Sequence, residues 1–233
     1  MMKIVVLISA NAEWRGVKPL YPLAEIQSSP LGEWFTVEGG AQPLIFFHGG
    51  WGKISAAATA QYVLDRFQPD LLANLGTCGG FEGRIESGAV ILVERTLVYD
   101  ILEQMGDPDE AIRDYSTSID LSWLPEALPG DVRRALLVSA DRDIVLEDIP
   151  MLVSRYGAVA ADWESGAIAW VAHKNRVRCL ILRGVSDVVG SGGGEAYGNF
   201  ELFTQRSNGI MQKLVRQLEA WLPMLPDRPS PWP

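Results

Sequence analysis

LRGVSDVVGSGGG (residues 182–194) sets an apolar run, a cation and an acid close together. The strand-like run from Cys179 to Leu182 ends on Arg183, Asp187 comes four residues later, and glycines follow. A strand that ends in charge and opens into a Gly-rich loop places chemistry at the carboxyl edge of an α/β sheet. The spacing therefore puts Asp187 at a strand-to-loop junction, in a mobile segment. Two more carboxylates stand at similar junctions, Glu13 after the first apolar run and Glu164 at the start of a helical pattern.

Working outward, strand-sized apolar runs recur at residues 3–10, 43–50, 70–76, 88–98, 135–141 and 179–187. Helical patterns lie between them, at Lys53 to Phe67, Glu164 to Asn175 and Glu201 to Trp221. In the first of these, Ile54, Ala58, Val63 and Phe67 are predicted to share a face. Strands alternating with helices predict one largely parallel, three-layer α/β domain. Residues 103–131 are polar and Pro-rich, too long for a routine connection, and read as functional or mobile. The Pro-rich end, PDRPSPWP, is predicted to be a surface tail outside the domain, which spans residues 1–223, with the tail at 224–233.

Composition narrows the function. The chain has 233 residues, 48% of them hydrophobic, which suits one large domain. The formal net charge of -9 argues against nucleic-acid binding and leaves a small neutral or cationic ligand compatible. The apolar runs are too short for a membrane helix, and the start carries no signal-peptide pattern. Cys78 and Cys179 sit in apolar contexts and read as reduced thiols of a cytoplasmic protein, not as zinc ligands.

Single features are open to two readings. HGGWGK (48–53) leads from a strand into a helix and offers backbone N–H groups to an oxygen-rich ligand, but a plain tight turn is favoured. GTCGG (76–80) is similar. Taken singly, Asp187 reads more readily as a turn or helix-capping acid, Glu164 as a first-turn acid, and Glu13 as solvated; their joint placement beside Arg183 favours a site. His48 and His173 are bland, and no nucleophile elbow accompanies a triad. Trp51 and Trp163 are either core or the flanks of a flat ligand.

In order and separation, KIVVLISANAEW, GWGKISAAA, NLGTCGG, LLVSAD, ADWESGAIA and LRGVSD resemble the purine nucleoside and uridine phosphorylase superfamily. The methylthioadenosine/S-adenosylhomocysteine nucleosidase branch is the most similar. The resemblance implies a single-domain α/β/α phosphorylase-like fold with a central mixed sheet, no cofactor or metal, and a homodimer acting on a small nucleoside. It implies that Asp187 is the general acid to a departing purine, with Ser186 orienting it. Arg183 and Glu13 then position the attacking water, with Glu13 as base; Glu164 holds the ribose hydroxyls, and Thr77 stands near the ribose. Phosphorylases of the superfamily carry Arg three residues before Thr77, where this chain has Asn74, so the resemblance favours a hydrolase over a phosphorylase.

Departures accompany it. Asp143, after Arg142 and before Ile144 of the base-facing segment, stands where the family carries an adenine-stacking Phe. Trp163 replaces a slim Met under the ribose, and Trp51 enlarges its position. A nucleoside-binding or sensing protein with weakened catalysis is the alternative of another class.

Overall fold

The computed structural model describes residues 2–38 and 42–226. Its first strand, β1 (Ile4–Ile8), is buried along its whole length, the pattern of a strand covered on both faces. The chain continues through α1 (Asn11–Val17), β2 (Gln27–Ser29), β3 (Gly32–Val37), β4 (Leu44–His48) and α2 (Lys53–Phe67). It then forms β5 (Leu71–Phe81), β6 (Val90–Val98), α3 (Pro108–Asp114), β7 (Ser116–Ser118) and β8 (Arg133–Ser139). The last elements are α4 (Ile149–Tyr156), β9 (Ala160–Asp162), α5 (Ser165–Lys174), β10 (Arg178–Gly190), β11 (Gly193–Gly194) and α6 (Phe200–Trp221).

The eleven strands form one sheet, and it is mixed, not largely parallel. β1 pairs in parallel with β4 and β5, and β5 pairs in parallel with β10. β6, by contrast, runs antiparallel to β10 and β9 antiparallel to β5. The pairings β5–β10–β6–β8–β9–β5 close a ring, which removes the open edges of those strands. Helices cover both sides, α1 and α6 against one and α2 and α5 against the other, giving three layers. α6 is held by Met211, Leu214, Val215 and Leu218, spaced to present one apolar stripe. Asn199 caps its start, its side chain accepting from the Leu202 N–H at 3.0 Å.

Several expectations need correction. α2 has the expected bounds but buries Ala56, Thr59, Ala60, Val63 and Leu64, while Ile54 is 84% exposed. The helix is therefore turned by part of a turn from the face that the larger apolar residues suggested. Residues 103–131 contain α3 and β7, and Ile119, Leu121 and Leu124 are buried, so much of that segment is anchored. β10 runs past Asp187 to Gly190, so the acid lies within the strand. Leu222–Met224 forms a 3₁₀ turn and Leu225 is buried, so the chain stays packed through the start of the expected tail; residues 227–233 lie outside the described residues.

Candidate functional site

The carboxyl ends of β1 and β4 and the later parts of β5, β9 and β10 open on a cavity of about 890 Å³. Among the residues lining it are Glu13, Trp51, Thr77, Asp143, Ile144, Trp163, Glu164, Ser186 and Asp187. Arg183 is buried behind this wall. All ten sequence-predicted site residues therefore meet in one region, although their numbers span most of the chain.

The buried end of the cavity is built around Arg183. Its Nε donates to Asp162 at 2.7 Å and its Nη2 to Asn74 at 2.6 Å, while Nη1 has no hydrogen-bond partner. Asn74 in turn donates to the Leu7 carbonyl at 3.0 Å, which ties the arrangement to β1. Asp162 also accepts from Ser139 at 2.6 Å, from the Ser165 N–H and from the Ser165 hydroxyl. A buried ion pair survives only when the remaining lone pairs are met in this way. Truncating Asp162→Ala is expected to leave the guanidinium buried and uncompensated, costing roughly 3–5 kcal/mol in chemical denaturation. A loss under 1 kcal/mol would show that Arg183 finds another partner.

Glu13 belongs to α1. Its Oε2 accepts from the Ala10 N–H at 3.1 Å, and its Oε1 accepts from the Thr77 N–H at 2.6 Å and the Thr77 hydroxyl at 2.9 Å. A carboxylate has about four acceptor sites, so three are engaged and one is open. Thr77 thus fixes the carboxylate. Gly76 makes the arrangement possible by its size: a Cβ there would lie 2.8 Å from Arg183 Nη1 and 3.0 Å from Glu13 Oε1. Gly76 thus lets Arg183 Nη1 and the Glu13 carboxylate approach the same stretch of β5.

Glu164 directly precedes α5, and its Oε1 accepts from the Gly52 N–H at 2.9 Å. The Lys53 N–H similarly bonds to Asp141 at 2.7 Å. The HGGWGK turn thus spends two of its N–H groups on carboxylates of the chain, which leaves them no role in holding an outside ligand. Burial first, then the charges of Asp162 and Glu13, push the Glu164 carboxyl up to about 8. An acid whose pKa is higher folded than unfolded binds more protons in the folded state, so stability falls as pH rises. The fall begins near the ordinary carboxylate value and ends near pH 8, with a slope of at most ~1.4 kcal/mol per pH unit. Glu164→Gln is expected to flatten this slope in melting curves taken from pH 5 to pH 8.5; an unchanged slope would remove Glu164 as its source.

Asp187 lines the same cavity. Its Oδ1 accepts from Ser186 at 3.1 Å, and Ser186 also reaches the Cys78 carbonyl at 3.2 Å. Oδ2 has no hydrogen-bond partner. Burial holds its carboxyl above the usual range, against the hydrogen bond from Ser186 that favours the charged form. The side chain therefore combines a raised proton affinity with an oxygen that makes no hydrogen bond.

Aromatic rings line the mouth. Trp51, 62% exposed, stacks on Trp163 with ring centroids 5.6 Å apart and planes 26° from parallel. Asp143 is exposed, and Arg142 beside it pairs with Asp148 and lies over the Tyr99 ring. Sequence reading missed Asp162, Asn74 as an anchor for Arg183, and Tyr197, Phe200 and Phe203 of the cavity wall. Asp162 stands beside two residues that were singled out, but a buried Asp in a short strand has no distinguishing local pattern. Among the described residues there is no cluster of His, Cys, Asp and Glu able to hold a metal.

Comparison with known proteins identifies the family and the fold. The phosphorylase superfamily pattern matches residues 4–219. The chain is 29% identical to the 5'-methylthioadenosine/S-adenosylhomocysteine nucleosidase of Thermotoga maritima over 76% of this chain and 82% of that protein. It is 23% identical to the protein of the same name from Bacillus cytotoxicus, over 94% of this chain and all of that one. Among solved structures, the nucleosidase of Colwellia psychrerythraea in complex with adenine superposes with a TM-score of 0.77 at 18% identity, over 98% of both chains. The Campylobacter jejuni nucleosidase gives 0.76 at 18% identity, over 94% of this chain and 99% of that one.

Proposed function

This chain belongs to the phosphorylase superfamily, and from that membership we propose that it hydrolyses the N-glycosidic bond of a purine nucleoside or thionucleoside. Its substrate class is that of the methylthioadenosine/S-adenosylhomocysteine nucleosidases it is similar to. One observation carries the choice of water over phosphate. The buried end of the cavity gathers the Glu13 and Asp162 carboxylates around Arg183, whose charge is already matched by Asp162, with the Glu164 carboxyl beside them. A phosphate dianion there meets net repulsion, whereas water needs one acceptor and one donor, and Glu13 and Arg183 each have one open.

Breaking the bond leaves positive charge on the ribosyl ring and negative charge on the base. The carboxylates favour the former electrostatically, with Glu164 placed to hold the ribose hydroxyls. Asp187 supplies its proton to the base as the bond lengthens, and Ser186 holds the carboxyl in place. Glu13 takes a proton from the water that attacks the sugar, while Thr77 keeps its carboxylate aimed. Trp163 and Trp51 form the wall beside the sugar.

The test is release of free base from methylthioadenosine, adenosine, inosine and guanosine, with and without phosphate. Equal release in both conditions, with free sugar as the co-product, is expected. A ribose 1-phosphate product would replace water with phosphate as the nucleophile.

A homodimer is part of the same reading. Trp51, Ile54 and Leu102 are exposed large apolar residues, which suits burial against a second copy. A solution mass equal to one chain would remove it. No helix among the described residues is long and apolar enough to cross a membrane. Both cysteines are free and buried, which suits a reducing compartment such as the cytoplasm.

A further inference from the structure

The cavity lacks an aromatic side chain at position 143, yet a ring stands close by. We propose that Tyr197, carried by the Gly-rich segment between β10 and α6, is the wall against which the departing base stacks. This rests on the nucleosidase reading and names the base-binding residue within it.

Three observations place the ring. At one end, a Cβ on Gly194 would come within 2.5 Å of Tyr197 Cδ1 and 2.9 Å of Asp187 Oδ2, so the ring and the free acid oxygen flank the same glycine. At the other end, the Tyr197 hydroxyl donates to the Ile144 carbonyl at 3.2 Å. The phenol thus spans the gap between the acid and the 141–144 segment. Finally, Tyr197 is 45% exposed and lines the cavity, so part of its surface is available to a ligand.

The other rings of the wall are engaged with each other. Trp51 stacks on Trp163, and Phe200 lies against Phe203 with centroids 6.3 Å apart. A base protonated by Asp187 must bring an atom within about 3 Å of that carboxyl. A fused bicyclic ring placed there lies alongside the Tyr197 phenol. Gly193 and Gly198 on either side adopt positive φ (85° and 72°), a backbone open to glycine that lets the segment fold tightly over the cavity. The flat surface lost at Asp143 is then restored from a different part of the chain, without a change in the acid.

Loss of a base–aromatic stack typically weakens binding by roughly 5- to 100-fold. The test compares the wild-type protein with Tyr197→Phe, Tyr197→Leu and Tyr197→Ala. KM and kcat are read from base release with methylthioadenosine, and adenine affinity from calorimetry. Alanine and leucine are expected to raise KM and the adenine Kd at least fivefold with kcat within threefold of wild type. Phenylalanine is expected to stay within twofold throughout. Melting temperature verifies folding, and leucine keeps the test intact if alanine is unstable.

Unchanged or tighter binding in the alanine and leucine variants overturns the proposal, since the ring would then be a bystander or an obstruction. A phenylalanine variant as weak as alanine overturns it too, because the hydroxyl bond to Ile144 would be responsible. In both cases wild-type base release leaves the nucleosidase reading standing. If wild-type protein neither releases base from any nucleoside nor binds adenine, that reading fails and takes this one with it.

Discussion

Asp187→Asn is expected to lower kcat for base release by at least ~10²–10⁴-fold, the usual worth of a positioned general acid. The amide keeps the shape and still accepts from Ser186, but it has no acidic proton to give a departing purine. Folding should not suffer. Burial already disfavours the charged carboxylate, so a neutral isostere removes a cost instead of a bond, and the melting temperature should be unchanged or higher. A sharper check uses p-nitrophenyl riboside, whose leaving group departs without protonation. The variant should lose less than ~10-fold on that substrate, because the only function removed is proton donation. A variant that turns over methylthioadenosine within threefold of wild type would end the role given to Asp187.

Glu13→Gln should lower kcat by roughly 10²–10³-fold through the other half of the reaction. Glutamine can still accept from the Thr77 N–H and hydroxyl, so Thr77 and the Arg183 environment should persist, and KM should move by less than fivefold. An amide cannot take a proton from water, so bond-breaking is expected to proceed while capture of the sugar slows. Single-turnover measurements of free sugar and free base read this directly. A kcat within threefold of wild type would show that Arg183 and Thr77 suffice to deliver the water.

Much of this was legible in the chain. Of the strands that carry the site, β1, β4, β5 and β10, though not the short β9, follow from apolar runs, as do the bounds of α2, and the residues meeting at the cavity follow from turn residues and the ordered motifs. The buried face of α2 was not legible, because the sheet takes small residues at close approach and leaves Ile54 outside, opposite to what size alone suggests. The extent of β5 was hidden by its glycines. GTCGG looks like a turn, yet a Cβ on Gly79 would lie 2.5 Å from Ile144 Cδ1 and one on Gly80 2.6 Å from Ile85 Cγ2, so these glycines serve crowding inside a strand. Asp162 and Tyr197 acquire meaning only from partners distant in sequence, Arg183 for the first and Ile144 for the second.

The pairing of β10 with β5 skips one residue: Val185 faces Cys78 and Asp187 faces Gly79, leaving Ser186 as the extra residue of a bulge. Where an added residue resets which way later side chains point, the acid's aim depends on chain length as well as on residue type. Deleting one residue at the bulge would leave a more regular ladder, with Asp187 still present in the sequence but turned from the cavity. The sheet and the reaction therefore make opposite demands on this strand. A homologue lacking only the residue equivalent to Val185 would keep every named group and is expected to lack the activity.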